Sequence, residues 1–357
     1  MGAETGARPA GDVSYALHRG DVLDAYAGWP EPDTIVSDGA YGVRGFHGDT
    51  TGPDDLVDWY RPHVERWGRA TGPATTLWFW STEIGWATVH PLLAAHGWDY
   101  VQTVTWDKGL RHIAGNVNSQ TIRRFPVVSE VCVLYQRQLE MAGPDGPLPV
   151  QQWLRHEWLR SGLLLARAND ACGLKNAATR KYLTQSWLWY WPAGAMVERL
   201  ASYANDHGRP AGWPYFSLDG VTPVTAKAWD GLRYRWYHTH GLTNVWRRPP
   251  LHDSERLKGT LRRAGPRAYK PTPVSAAHLN QKPLEFMERL ILAVTGPDDV
   301  VWEPFGGLAS ASVAAVALGR RAFAAEIDPH FAGLAEERLR LAVRDRDVEA
   351  EAAAVTS

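Results

Sequence analysis

The chain has 357 residues, 45% of them apolar and 22% charged, with a net charge of −1. That is globular composition, long enough for two domains or one domain with a large insertion. No apolar run approaches the roughly 20 residues of a membrane span, and residues 1–12 lack a basic and apolar leader, so a cytoplasmic protein is expected. Cys132 and Cys172 are the only cysteines, too few for a disulfide framework or a four-thiolate metal site, and no metal is expected.

The near-zero charge hides an asymmetry. Residues 151–270 hold 19 Lys and Arg against 8 Asp and Glu, while the rest hold 19 against 31. Nine of the 18 tryptophans fall in the same stretch. Each Trp can serve a core, but basic charge interleaved with aromatics also suits a polyanion such as nucleic acid.

In chain order, residues 33–37 read as a strand ending in a Gly-containing turn, and 75–80 as a buried strand. A helix over 83–96 stops at Gly97, and 100–106 and 127–135 read as two more strands. Such alternation predicts an α/β sheet covered by helices on both faces. Prolines and glycines crowd residues 141–149, which read as a linker. A mainly helical, basic block follows. Within residues 148–183, Trp153, Leu154, Trp158 and Leu159 lie at helical spacing, and Cys172-Gly173 interrupts two short helical stretches. The pattern resembles a helix-turn-helix, which would turn Asn176, Thr179, Arg180 and Lys181 toward DNA; a plain helical packing unit is the other reading. Cys172 reads as a small core residue. Residues 257–273 read as an exposed loop carrying Arg262 and Arg263.

The α/β pattern then resumes. A helix over 282–294 places Leu284, Met287, Ile291 and Val294 on one face, with Pro283 in its first turn. Residues 299–302 form a strand, 310–318 a small-residue helix and 321–326 another strand; the acidic end beyond about 344 is expected to fray. The strand, glycine turn and helix of residues 301–310, with an acid at the next strand end about 20 residues on, is the layout of a nucleoside site. The glycines let backbone approach a ligand, and the carboxylate of Glu326 can accept from ribose hydroxyls. Ser37-Asp38-Gly39-Ala40-Tyr41 also closes a strand, where an acid can accept from an amine and an aromatic ring can stack on a planar group.

Taken together and in this order, these segments resemble the DNA amino-methyltransferases, specifically the permuted class whose catalytic motif precedes its cofactor motif. Asp38-Gly39-Ala40-Tyr41 stands where the family carries Asp/Asn/Ser-Pro-Pro-Tyr. Gly20-Asp21, His278 with Gln281-Lys282-Pro283, Trp106-Asp107-Lys108, and Glu303-Pro304-Phe305-Gly306-Gly307 match further family segments, and Ala309 replaces the turn's second glycine. The resemblance covers about 15–140 and 275–340. It implies a Rossmann-like sheet assembled from an N-terminal catalytic half, 13–140, and a C-terminal cofactor half, 273–344. An inserted target-recognition region lies between them at 150–272. It implies transfer of a methyl group from S-adenosylmethionine to the exocyclic amine of a flipped base in double-stranded DNA. Adenine N6 is slightly favoured over cytosine N4, because an acid rather than Ser opens the motif. Asp38, the Gly39 carbonyl and Tyr41 would act at the base, and Asp21, Lys282, Glu303, Phe305, Gly307 and Glu326 at the cofactor. A cognate restriction endonuclease is a compatible partner. Competing readings are an inactive cofactor-binding DNA reader, since both motif prolines are lost, and an RNA or protein amino-methyltransferase. A dinucleotide dehydrogenase is disfavoured by the absence of Gly-x-Gly-x-x-Gly.

Overall fold

The computed structural model describes residues 14–43, 49–50, 52–110, 120–252, 255–257 and 281–356. Arg262, Arg263, His278 and the N-terminal residues 1–12 lie outside the described residues. The chain divides into two compact units, Met1–Arg137 with Arg235–Ser357, and Gln138–Tyr234.

The first unit is built on an eight-stranded sheet. Its strands are β1 (Tyr15–Arg19), β2 (Thr34–Ser37), β3 (Thr76–Ser81), β4 (Trp98–Asp107), β5 (Ser129–Arg137), β8 (Val245–Arg247), β9 (Val300–Glu303) and β10 (Arg321–Glu326). A separate hairpin in the second unit supplies β6 (Glu140–Gly143) and β7 (Gly146–Pro149). The sheet order is β1-β10-β9-β2-β3-β5-β4-β8. Only β5 runs antiparallel to its neighbours. The N- and C-terminal strands interleave, β1 beside β10 and β2 beside β9. Every residue of β2, β3 and β9 is buried, as strands covered on both faces must be.

Helices α1 (Leu56–Ala70) and α2 (Glu83–Ala95) follow β2 and β3. α1 escaped the sequence reading, yet Leu56, Tyr60, His63, Val64 and Trp67 form one buried stripe at helical spacing. The α2 N-terminus is capped by Thr82 Oγ1, which accepts from Gly85 N at 3.1 Å. Gly97, at φ +78°, ends it as expected.

The second unit packs α3 (Val150–Arg160), α4 (Arg167–Cys172), α5 (Gly194–His207) and α6 (Ala226–Asp230) around Trp153, Trp158, Phe216 and Trp229, all buried. Cys172 lies in this core. The expected recognition helix is absent. After α4 and its left-handed cap at Gly173, the chain makes only one wide π turn, Ala178–Tyr182. Asn169 is the physical reason: its side chain accepts from Thr179 N and donates to Thr179 Oγ1, both at 3.3 Å, and holds the turn open.

The chain returns to the first unit at Arg235, earlier than the expected 273, because Val245–Arg247 adds to the sheet beside β4. The positive balance moves with that boundary. Residues 138–234 hold 10 basic and 8 acidic residues, whereas 235–270 hold 9 and 2. Helices α7 (Leu284–Val294), α8 (Ser310–Ala317) and α9 (Pro329–Thr356) complete the first unit. The end expected to fray is helical to Thr356, as its run of Ala, Glu and Arg favours. Among the described residues no helix is long and apolar enough to cross a membrane, and no cluster of ligands could hold a metal.

Candidate active site at the carboxyl edge of the sheet

In a mostly parallel sheet, ligands bind beyond the carboxyl ends of the strands. β2 ends there in Asp38–Tyr41, β9 in the Glu303–Gly307 turn, β10 in Glu326 and β1 in Gly20-Asp21.

The Asp38 carboxylate is held from one side. Its Oδ1 accepts from Tyr41 Oη at 2.6 Å and from Lys282 Nζ at 2.8 Å, and Nζ also reaches Tyr41 Oη at 2.9 Å. Among the described residues, nothing donates to Oδ2 or to the Gly39 carbonyl. Lys282 was expected at the cofactor; the structure puts it on Asp38. Its side chain is 3% exposed and also lies 3.6 Å from Glu130 Oε2. Glu130 is shared, its Oε1 accepting from Lys108 Nζ at 2.6 Å. Burial alone would strip the Lys282 proton, but the charges of Asp38 and Glu130 outweigh it and hold the ammonium above the ordinary lysine range. Burial likewise opposes the Glu130 carboxylate, and Lys282 and Lys108 outweigh it and draw it below the usual range. The four charges balance in a closed cluster roofed by Trp80 and Trp106. Burial, then the charges of Asp38 and Glu130, push the Tyr41 phenol well up, so it stays a donor.

The loop that carries the motif is braced without its prolines. A Cβ on Gly39 would stand 2.7 Å from both Phe305 Cδ2 and Tyr60 Oη, so a side chain at this position collides. Tyr60 Oη donates to the Ala40 carbonyl at 3.0 Å. Asp49 Oδ1 accepts from the backbone N–H of Tyr41 at 3.0 Å and of Gly42 at 2.8 Å. Phe305 lies in an aromatic nest, its ring centre 4.9 Å from those of Trp59 and His63. Burial there lowers the His63 pKa to about 4, so its ring is neutral.

The cofactor turn is equally ordered. Gly307, at φ +54°, donates its N–H to Glu326 Oε2 at 2.7 Å, and Asp328 N donates to Oε1 at 2.7 Å. A Cβ on Gly306 would stand 3.0 Å from the Ala325 carbonyl. Ala309 sits at φ 53°, left-handed backbone that costs an alanine what the family's glycine avoids. Glu303 does not open to the cleft. It is 4% exposed, and its two oxygens accept from Ala311 N and Ser312 N at the start of α8, at 3.0 and 2.7 Å. Burial raises its pKa to about 7. Asp21, at the end of β1, accepts from Leu23 N at 2.9 Å and caps the short turn there.

Of the residues expected to face DNA, Asn176, Arg180 and Lys181 are exposed on the second unit. Thr179 turns inward to Asn169. The roles of Glu130, Asp49 and Tyr60 were missed. Glu130 had a visible signal, the one acid of β5, next to the apolar run 131–135, where a carboxylate demands a cation. Asp49 and Tyr60 act through loop geometry that no periodicity announces and had none.

The sequence profile of the DNA methylase family matches residues 32–337. The chain belongs to this family. Two curated relatives share shorter stretches. The type II methyltransferase M.HinfI of Haemophilus influenzae is 39% identical over 64 residues, 18% of either chain. The type II methyltransferase M2.DpnII of Streptococcus pneumoniae is 32% identical over 125 residues, 35% of this chain and 44% of that protein. The match therefore spans less than half the length of either relative. The M1.HpyAVI–SAM complex superposes over 91% of this chain and 98% of its own with a TM-score of 0.48 and 11% identity. The cytosine-N4-specific PvuII DNA methyltransferase covers 91% and 86% with a TM-score of 0.45 and 11% identity.

Proposed function

We propose that this DNA methylase transfers a methyl group from S-adenosylmethionine to the exocyclic amine of a flipped base, with adenine N6 ahead of cytosine N4. The observation that carries the proposal is the one-sided hold on Asp38. Tyr41 and Lys282 occupy Oδ1, which leaves Oδ2 and the Gly39 carbonyl as acceptors on two consecutive residues.

An exocyclic amine is a poor nucleophile because its lone pair is delocalised into the ring. Two acceptors that take its two hydrogens favour a pyramidal nitrogen with a localised lone pair. Lys282 and Tyr41 hold Asp38 in place for this, and the site stabilises the reaction by position and field. Asp38 Oδ2 is also placed to take the proton the nitrogen must lose. The base has to leave the stack to reach these groups.

The residues fit the cofactor. Glu326 and Asp21 set two carboxylates at strand ends that can accept from ribose hydroxyls, and Gly306 and Gly307 place no side chain over the turn. When bound, S-adenosylmethionine supplies an electrophilic methyl group on a sulfonium. Phe305 would offer its ring edge. Glu303 would serve by shaping the turn through α8.

An inactive reader is the weaker reading. The lost prolines are offset by the close fit of Gly39 under Phe305 and Tyr60 and by the Asp49 brace. We assign target recognition in duplex DNA to Gln138–Tyr234, with Asn176, Arg180 and Lys181 on its surface, and phosphate contacts to Arg262 and Arg263. The type II relatives favour a cognate restriction endonuclease as partner and a cytoplasmic site of action.

The test is transfer of isotopically labelled methyl groups to mixed-sequence duplex DNA, followed by digestion to nucleosides. Label in N6-methyladenine, abolished by Asp38→Ala, is the expected result. Label in N4-methylcytosine would overturn the base choice, and no label in DNA would overturn the function.

A further inference from the structure

Among the described residues of the second unit, Trp187 is the most exposed aromatic. Trp187 is 90% exposed, whereas Trp153, Trp158 and Trp229 are buried. A large apolar ring left in water on a floppy loop would be unremarkable, but this loop is not floppy. Gln151 Nε2 donates to the carbonyls of Thr184 and Ser186, at 3.0 and 3.3 Å, and Gln185 Nε2 returns a bond to the Gln151 carbonyl at 3.0 Å. Ser186 N donates to Thr184 Oγ1 at 3.1 Å, and Leu188 N to Ser186 Oγ at 3.3 Å. Beyond the tip, Tyr190 N donates to the Lys181 carbonyl at 3.1 Å. The chain on both sides of Trp187 is thus pinned, and the indole stands at the apex of a fixed turn.

Its surroundings say what could cover it. Residues 171–197 contain Lys175, Arg180 and Lys181 and no carboxylate. Lys181 Nζ lies 5.3 Å from the ring centre of Tyr190, itself 44% exposed. Leu188 and Tyr190, both exposed, follow the indole in the same turn, and the cations of this stretch would oppose a basic partner. A partner that brings phosphates to the cations and a flat π-face to the ring satisfies both, and nucleic acid does so.

We propose that the Trp187 turn is a DNA contact in which the indole wedges into a base step of the duplex and stacks on the base it unstacks, while Lys181 and its neighbours hold the phosphates. This rests on the reading of the chain as a DNA methyltransferase. It adds a stacking contact to a surface otherwise assigned to polar and charged residues. Holding the turn rigid lowers the ordering cost of binding.

The full-length protein is titrated against mixed-sequence duplex DNA and against the matching single strand, at two salt concentrations. Trp187→Ala weakens duplex binding about tenfold, the scale of one lost base–aromatic stack, and leaves the salt dependence unchanged because no charge is removed. Trp187→Tyr retains most of the affinity, which separates stacking from misfolding. Unchanged duplex affinity in Trp187→Ala overturns the contact. A loss confined to the single strand overturns the duplex as its occupant. Wild-type protein that neither binds nor methylates DNA overturns the underlying function instead, a result distinct from an active enzyme indifferent to Trp187.

Discussion

Nζ of Lys282 lies 2.8 Å from Oδ1 of Asp38, a pair separated by 244 positions in sequence. The contact joins the start of α7 to the end of β2 and fixes which carboxylate oxygen is left for substrate. Lys282→Met removes it and leaves the part-buried Asp38 and Glu130 carboxylates with Lys108 as their remaining cation, bonded to Glu130. The variant should lose about 1–3 kcal/mol of stability, the cost of leaving a part-buried polar group without its partner. Paired with Glu130→Gln, part of that loss should return, because one uncompensated charge is gone. Denaturant titration of the single and double variants checks this, and additive losses would show that the two residues are not coupled.

Gly39 is the next test. The family's proline suggests that Gly39→Pro should stiffen the motif, but the neighbours forbid it. A Cβ there meets Phe305 and Tyr60 at 2.7 Å. Gly39→Ala and Gly39→Pro should both lower stability by about 1–3 kcal/mol, as overpacking does, and reduce methyl transfer. Increased activity in the proline variant would refute the fit.

Asp49 gathers the amides of Tyr41 and Gly42. Asp49→Ala frees the loop beside the reacting groups, so turnover should fall about tenfold to a hundredfold with little change in DNA affinity. Steady-state kinetics separate the two effects, and an effect on affinity alone would remove Asp49 from the positioning role.

Ala309→Gly should stabilise the protein by about 1 kcal/mol, because the left-handed backbone at φ 53° costs alanine more than glycine's extra freedom in the unfolded chain. Thermal denaturation measures it, and a lowered midpoint would contradict the strain.

Glu303 makes stability depend on pH. Its folded pKa, about 7, lies above the ordinary glutamate value because of burial. The protonated form is therefore favoured on folding. Its contribution is full below about pH 4.3, the unfolded value, and is lost as pH rises through about 7. Glu303→Gln should flatten that fall, worth about 3 kcal/mol. Chemical denaturation of both proteins across this range provides the comparison, and identical pH profiles would refute it.

The elements that the sequence revealed are those with local causes. Apolar runs marked β2, β3 and β9, and Gly97 marked the end of α2. The strand–glycine–acid spacing led to Gly307 and Glu326, which the structure joins at 2.7 Å. The misreadings arose where distant groups decide. Residues 175–183 carry helical spacing, but the Asn169 side chain holds them in one wide turn. Lys282 was readable as part of a motif, yet its partner is set by topology. The basic excess was counted correctly and given to the wrong unit, because Val245–Arg247 pairs with β4 through backbone bonds that no side-chain pattern announces.

The interleaving of β2 with β9, and of β1 with β10, also dictates when the protein can assemble. Thr34 meets Val301 and Tyr15 meets Ala322, so the middle of the sheet closes only after residues 300–326 have left the ribosome. Until then β2, wholly buried in the finished fold, has an open edge. A chain cut short anywhere before β9 lacks the two strands, β9 and β10, that join β2 to β1. A fragment that stops short of β9 is therefore aggregation-prone, and the strand ends that carry Asp38, Gly307 and Glu326 come together only once residues 300–326 have been made.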